Sequence, residues 1–275
     1  MTGRSVGGDP FAPARDALPA IPGIAGAIAL AEDGTALYEH AADDEFPSAS
    51  VIKVPLVMAL YADAAEGRID LGERVAVGAS VDGSGVLRYL ADVREMTLRD
   101  LATLAIIVSD NTATNRLIDR FGLERVNDRL AAWGCSRTRL RRKMYDFDAA
   151  AKGSENVTTP RETAALLLRL LRGGCRDRAT SDAVLAILER CQDKTMLRRY
   201  LPPAAKVAHK TGTLDESRND AAIVAVDRRV VVSGFVRSLR DPNAGAAWLG
   251  LLGWCAYRAA GGAGGGLPPE RWSPA

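Results

Sequence analysis

Three short segments carry side chains suited to opening an acyl group: Ser50-Val51-Ile52-Lys53, Ser109-Asp110-Asn111 and Lys210-Thr211-Gly212-Thr213. Any one alone is weak, since a Ser-x-x-Lys arises by chance roughly once in a chain of this length. All three in this order are much rarer, and together they read as the parts of an acyl-serine site. Phe46 to Ala49 reads as loop, and the apolar spacing Val51, Val54, Leu56, Val57, Leu60 reads as helix, so Ser50 falls at or near a helix N-terminus. Free backbone N–H groups and the positive end of the helix dipole favour an oxyanion there. Lys53 is three residues on and shares a helical face with Ser50. An ammonium is no base, so this role needs a pKa lowered by desolvation and a neighbouring cation. The plainer alternative makes Ser50 an N-cap and Lys53 a solvated charge.

The residues ahead of Ser109, namely Leu98, Leu101, Leu104, Ala105 and Val108, are spaced as one buried helical face that ends in polar residues. A helix–helix turn capped by Ser109 and Asp110 is the alternative. Lys210 to Thr213 follows Lys206-Val207-Ala208-His209 and precedes the β-rich runs Ala221 to Val226 and Val230 to Val236, so it reads as the start of a meander. Alternation puts Lys210 and Gly212 on one side of the sheet, where Gly212 keeps the face open, and His209 on the other. An edge strand with a glycine bulge and a surface lysine is the competing reading.

The trio resembles the Ser-x-x-Lys, Ser-Asp-Asn and Lys-Thr-Gly set of the class A β-lactamases and their penicillin-recognising and DD-peptidase relatives. The likeness runs from about Ile21 to Tyr257 and takes in Gly83-Ser84-Gly85-Val86-Leu87, Asn219-Asp220, and an Ω-loop from Thr138-Arg139-Leu140 to Thr158-Thr159-Pro160. It implies that Ser50 is the nucleophile, Lys53 its base with Lys210 as the neighbouring cation, and Ser109 the relay that protonates the leaving group. It also implies that Asn111 bonds the substrate amide, Asp110 braces the loop, and Lys210 and Thr211 hold a carboxylate. The substrate then lies along the strand edge at Gly212, with the N–H groups of Thr213 and Ser50 as oxyanion hole. Arg229 stands where many class A enzymes place a carboxylate-binding arginine; an ordinary surface arginine is the alternative. The Ω-loop departs from the family, because Met144 falls where the water-activating glutamate belongs and Asp148 where the water-holding asparagine does. A thioether cannot abstract a proton. Asp146 and Asp148 are candidate substitute bases, or solvated loop acids. The chain is thus expected in a divergent branch in which acylation is retained and deacylation impaired.

With 275 residues, 47% of them hydrophobic, the chain can bury one large core. Its 36 Lys and Arg nearly balance its 34 Asp and Glu, so nothing favours nucleic acid, and Arg137 to Lys143 reads as a solvated loop face. His40 and His209 are too few and too far apart for zinc or a Ser/His triad, and Cys135, Cys175, Cys191 and Cys255 show no ligand spacing, so no metal and no cofactor are expected and the thiols read as free and mostly buried. The expected fold class is α/β, of the α+β kind: an antiparallel sheet flanked by helices with an inserted all-α lobe. Residues 1–18 and 261–275 are expected as flexible tails around a domain at 19–260, whose α/β lobe takes 19–49 and 194–260 and whose helical lobe takes 50–193. Met1 to Leu18 lacks a basic n-region followed by an apolar core and no run reaches membrane-spanning length, which points to a cytoplasmic site, with secretion as the alternative. The expected partner is a small-molecule acyl substrate, a β-lactam or related amide or ester, with no nucleic acid, no membrane, and a monomeric state. A cytoplasmic esterase, amidase or transacylase, a β-lactam-binding sensor, and an interaction scaffold are the rival readings.

Overall fold

The computed structural model describes residues 8–263. In chain order the helices are α1 (Ala12–Asp16), α2 (Lys53–Ala65), α3 (Leu98–Ile107), α4 (Asn111–Phe121), α5 (Leu123–Ala132), α6 (Phe147–Ala151), α7 (Pro160–Leu171), α8 (Arg178–Leu188) and α9 (Pro242–Ala259). The strands are β1 (Ile24–Ala31), β2 (Ala36–His40), β3 (Phe46–Pro47), β4 (Arg74–Ala76), β5 (Glu95–Thr97), β6 (Val157–Thr158), β7 (Lys206–Leu214), β8 (Ser217–Ala225) and β9 (Arg229–Arg237). Five of these make an antiparallel sheet in the order β2-β1-β9-β8-β7, so β7 is an edge. The fold class is the expected one.

Period-two alternation divides the sheet's side chains between two cores. Ile28, Ala221, Val231 and Phe235 face the helical lobe and pack with α2, α3, α4 and α7. Ala27, Ala222, Val230, Val232 and Val236 face the other way, onto Trp248, Leu249 and Leu252 of α9. The register Lys210↔Ala221↔Ser233 therefore aims Lys210 at the helical lobe, while His209, opposite Ala222, points outward.

Two expectations need correction. Residues 8–18 are not a loose tail: Phe11 and Ala14 are fully buried, Phe11 stacks on Tyr38 with ring centroids 5.4 Å apart, and the indole N–H of Trp248 donates to the Ala14 carbonyl at 2.9 Å. Burying one such aromatic stabilises by about 1.5–3 kcal/mol, which offsets part of the entropy lost in ordering the turn. The tail expectations for residues 1–7 and 264–275 lie outside the described residues; Gly262 and Ala263 accept from Arg258 and Tyr257. The inserted lobe is not wholly helical either, since β4 and β5 pair antiparallel within it and β6 pairs with β3. Strands of two or three residues are too short to leave a periodic signal. Among the described residues no helix is long and apolar enough to cross a membrane.

Candidate active site

Ser50 lies in a 3₁₀ turn, Ala49–Ile52, that runs directly into α2. The turn is entered through Ala49 at φ +46, a left-handed conformation that a side-chain-bearing residue adopts only when its surroundings enforce it. Part of that enforcement comes from β7: a Cβ on Gly212 would sit 3.1 Å from the Ser50 amide nitrogen and 3.0 Å from the Ala49 methyl. Gly212 thus does more than keep a face open, because it lets the strand carrying Lys210 and Thr213 close onto the backbone of Ser50.

Lys53 is the first residue of α2 and is fully buried. Its Nζ is 2.7 Å from the Ser109 carbonyl, 3.1 Å from Ser109 Oγ and 2.8 Å from Asn111 Oδ1. A neutral amine fits this set: two N–H groups satisfy the carbonyl and the amide oxygen, and the lone pair faces a hydroxyl that can donate. Burial first, and then the charge of Lys210, hold Lys53 well below the ordinary lysine range, with Asp110 opposing. Burial also lowers Lys210, whose Nζ donates to the Thr211 carbonyl at 2.7 Å. Ser109 is held at φ +55, which turns both its carbonyl and its hydroxyl onto Lys53. Asp110 enforces that turn: Oδ1 caps α4 at Ala113 N, while Oδ2 accepts from the N–H groups of Val86 and Leu87. Asn111 donates to the Asp82 carbonyl at 2.8 Å, so its amide is held at both ends.

Two cavities meet at Ser50. One, of about 150 Å³, is bounded by Ser109, Lys210, Thr211 and Thr213. The other, of about 410 Å³, opens toward the Ω-loop and is bounded by Gly83, Asn111, Met144, Tyr145 and Leu214. The structure therefore gathers Ser50, Lys53, Ser109, Asn111, Lys210, Thr211, Gly212 and Thr213 around one cleft.

Arg229 is not among them. It pairs with Ala225 at the opposite end of the sheet from Thr213, and its guanidinium meets Glu32 at 3.3 Å in solvent. An arginine nearer the cleft is Arg218, directly across the hairpin from Thr213. The hairpin register, which sequence alone leaves open, decides between the two.

The Ω-loop is tied at its neck and along its length. Glu162, three residues past the Thr159 cap, reads as half of a capping box, yet its carboxylate turns away to accept from the N–H groups of Ser136, Arg137 and Thr138. Asn156 Oδ1 accepts from Arg141 N and Arg142 N, its carbonyl accepts from Ser48 N at 2.8 Å, and the nearly buried Arg142 pairs with Glu155 at 2.7 Å. Asn115, one turn past Asn111 on α4, clamps Met144 with both ends of its amide, at 2.7 Å to the N–H and 3.0 Å to the carbonyl. That four-residue spacing from Asn111 is the sequence signal that places Asn115 on the same helical face. Met144 is left 7% exposed in the cavity wall. Asp146 accepts from Ala149 N as the cap of α6, and both Asp146 and Asp148 are exposed and absent from either cavity lining. The one carboxylate of the loop that lines this cavity is Glu155, which is paired to Arg142.

On the outward face His209 is fully buried with Nδ1 3.3 Å from Asp220 Oδ1. Burial disfavours the imidazolium, but the Asp220 carboxylate outweighs it and raises the pKa from 6.5 to about 10. A raised pKa contributes stability that is fully present below pH 6.5 and is lost as pH climbs through about 10. Replacing His209 with Gln is therefore expected to lower the melting temperature most near pH 6 and progressively less toward pH 10; a pH-independent difference between the two proteins would contradict this assignment.

Comparison with known proteins gives a consistent picture. A family model described as the beta-lactamase enzyme family matches residues 21–260. Beta-lactamase L2 of Stenotrophomonas maltophilia is 31% identical over 191 residues, covering 67% of this chain and 63% of that protein. The chain thus aligns with somewhat less than two thirds of that relative's length. The crystal structure of beta-lactamase from Sphaerobacter thermophilus superposes with TM-score 0.82 at 35% identity, over 91% of this chain and 97% of the other. PBP-A, a mutant of which was solved as its acyl-enzyme complex with penicillin G, superposes with TM-score 0.81 at 28% identity over 94% and 98% of the two chains.

Proposed function

The chain belongs to the beta-lactamase enzyme family, and from that premise we propose that it is a serine hydrolase acylated at Ser50 by a β-lactam or a related amide or ester. The observation that carries this reading is the Lys53 amine, fully buried, within hydrogen-bonding distance of Ser109 and Asn111. Neutral Lys53 takes the Ser50 proton as Oγ attacks the carbonyl, and the amides of Ser50 and Thr213 receive the developing oxyanion. The proton passes through Ser109 to the leaving nitrogen or oxygen, which keeps charge off the leaving group as its bond to carbon breaks. Lys210 and Thr211 hold the carboxylate of the acyl donor, and Arg218 adds a cation across the hairpin.

Release of the acyl group is the weak step. With Met144 at the wall, Asp146 and Asp148 turned to solvent and Glu155 committed to Arg142, the loop lacks the usual carboxylate to activate a water beside the ester. A positioned base supplies roughly 10²- to 10⁴-fold, so deacylation is expected to limit turnover of a penicillin, giving a burst followed by a slow steady state. Met144→Glu should quicken the slow phase. Rapid hydrolysis without a burst, unchanged in Asp146→Asn and Asp148→Asn, would mean that water is activated by another group. The apolar Met144 wall also favours a second reading, transfer of the acyl group to a non-water acceptor in a small-molecule esterase or transacylase. Incubation with a fluorescent penicillin, followed over time by intact mass, tests both: a transient adduct supports a lactamase, a lasting adduct an acylating enzyme with impaired release, and no adduct a different acyl donor.

A further inference from the structure

The Ω-loop wall of the larger Ser50 cavity carries two aromatic rings that the fold leaves uncovered. Tyr145 is 47% exposed and Phe147 is 53% exposed, and both border that cavity. The rings meet edge to face, with centroids 4.7 Å apart and planes at 62°. The Arg142 guanidinium, already paired to Glu155, lies 6.0 Å from the Phe147 centroid. Aromatic side chains supply folding with large buried areas, so two half-bare rings at a nucleophile's cavity are apolar surface left for a ligand to cover.

The backbone enforces their placement. Tyr145 stands at φ +67, a left-handed conformation that a bulky residue adopts only where its neighbours impose it. Asn115 holds one side by clamping both backbone groups of Met144, and Asp146 holds the other by capping the helix that Phe147 begins. Beside the rings Gly83 stands at φ +84, and a Cβ there would fall 2.7 Å from Tyr145 Cε2 and 2.7 Å from Asn111 Nδ2. Ring and amide thus flank one bare backbone position. An acyl donor whose amide bonds Asn111 therefore carries its next carbons over Gly83 and onto Tyr145. The charge bordering this cavity is one-sided: Arg142 and Glu155 neutralise each other, leaving Asp215, partly offset by Arg218 on β8, and Glu216 as the surplus.

We propose that Tyr145 and Phe147 form an aryl-binding ledge which, with Asp215 and Glu216 on the same cavity, sets donor specificity: the acyl side chain accepted here is aromatic and carries no negative charge. The inference rests on the acyl-serine reading and names the donor class of that same site. Met144, in the same wall, continues the apolar surface that a carboxylate in its place would interrupt. An aryl group that covers both rings gains area burial and aromatic contact together, about 10-fold or more in rate. A carboxylate on the side chain meets like charges in solvent, a penalty of about 5-fold at low ionic strength that shrinks as salt screens it.

The test follows second-order acylation of Ser50 in the full chain, by intact mass, with penicillins that differ only beyond their shared amide: 6-acetamidopenicillanic acid, benzylpenicillin and carbenicillin. Benzylpenicillin is expected at least about 10-fold ahead of the acetamido compound, and carbenicillin about 5-fold behind benzylpenicillin at low salt, with that gap closing as salt rises. Equal rates for the acetamido and benzyl donors overturn the ledge, and equal rates for benzylpenicillin and carbenicillin at low salt overturn the charge selection. Tyr145→Ala combined with Phe147→Ala should bring the benzyl-to-acetamido ratio to within about twofold, whereas Tyr145→Phe should keep it. A double variant that slows every donor alike and preserves the ratio assigns the rings a structural role and overturns the ledge. Should that variant fold poorly, the wild-type donor series decides. If no penicillin labels Ser50, the donor reading fails by itself, and the ledge is decided by titrating wild-type protein with N-phenylacetylglycine and N-acetylglycine under NMR. Shifts of the Tyr145 and Phe147 ring protons with the aryl compound alone support it; no shifts, or equal shifts with both, overturn it.

Discussion

Ser50→Ala protein is expected to take up no penicillin under conditions in which the wild type is labelled, while keeping its melting temperature. The hydroxyl is the only nucleophile at the junction of the two cavities that combines a helix-entry turn with a buried amine three residues on. Removing one oxygen from a turn whose conformation is set by Ala49, Gly212 and Asn156 falls among substitutions that change stability by about 0.5 kcal/mol or less. Label that persists in the folded variant would place the nucleophile elsewhere.

Lys53→Ala is expected to slow acylation on the order of 10²-fold or more, the usual scale for a positioned base. A loss that large could also follow from damage, because truncation leaves the Ser109 carbonyl and Asn111 Oδ1 without their donor. Rescue separates the explanations: a small primary amine such as methylamine should fill the space and restore part of the rate, in proportion to its unprotonated fraction, only if Lys53 acts as base. A variant within a fewfold of wild type, or one that folds yet shows no amine dependence, removes Lys53 from that role.

The chemistry was the most legible part of this sequence, because reactive side chains at short fixed spacings survive without knowledge of the fold. Ser50 and Lys53 share a helix entry, and Lys210 and Gly212 share a strand face, through local periodicity alone. What escaped depended on distant backbone. Position along the chain points to Arg229, whereas the hairpin register puts Arg218 beside Thr213. The docking of Phe11 and Ala14 escaped because it needs Tyr38 and Trp248, neither of them near in sequence. The Ω-loop was read through its missing glutamate, but the roles of Asn115, Asn156 and Glu162 lie in side-chain bonds to loop backbone, which no periodic pattern announces.

The sheet joins segments far apart in sequence, with Ala27 opposite Gly234 and the turn carrying Phe11 and Ala14 laid against α9. A nascent chain leaving the ribosome therefore carries β1, an almost unbroken apolar strand, long before β9 exists to cover its edge. The intervening helical lobe, rich in local contacts, is free to condense first, and the sheet then closes last against a large loop entropy. Closure of the sheet thus waits on β9, and until then the Ile24–Ala31 strand has an apolar edge without its partner.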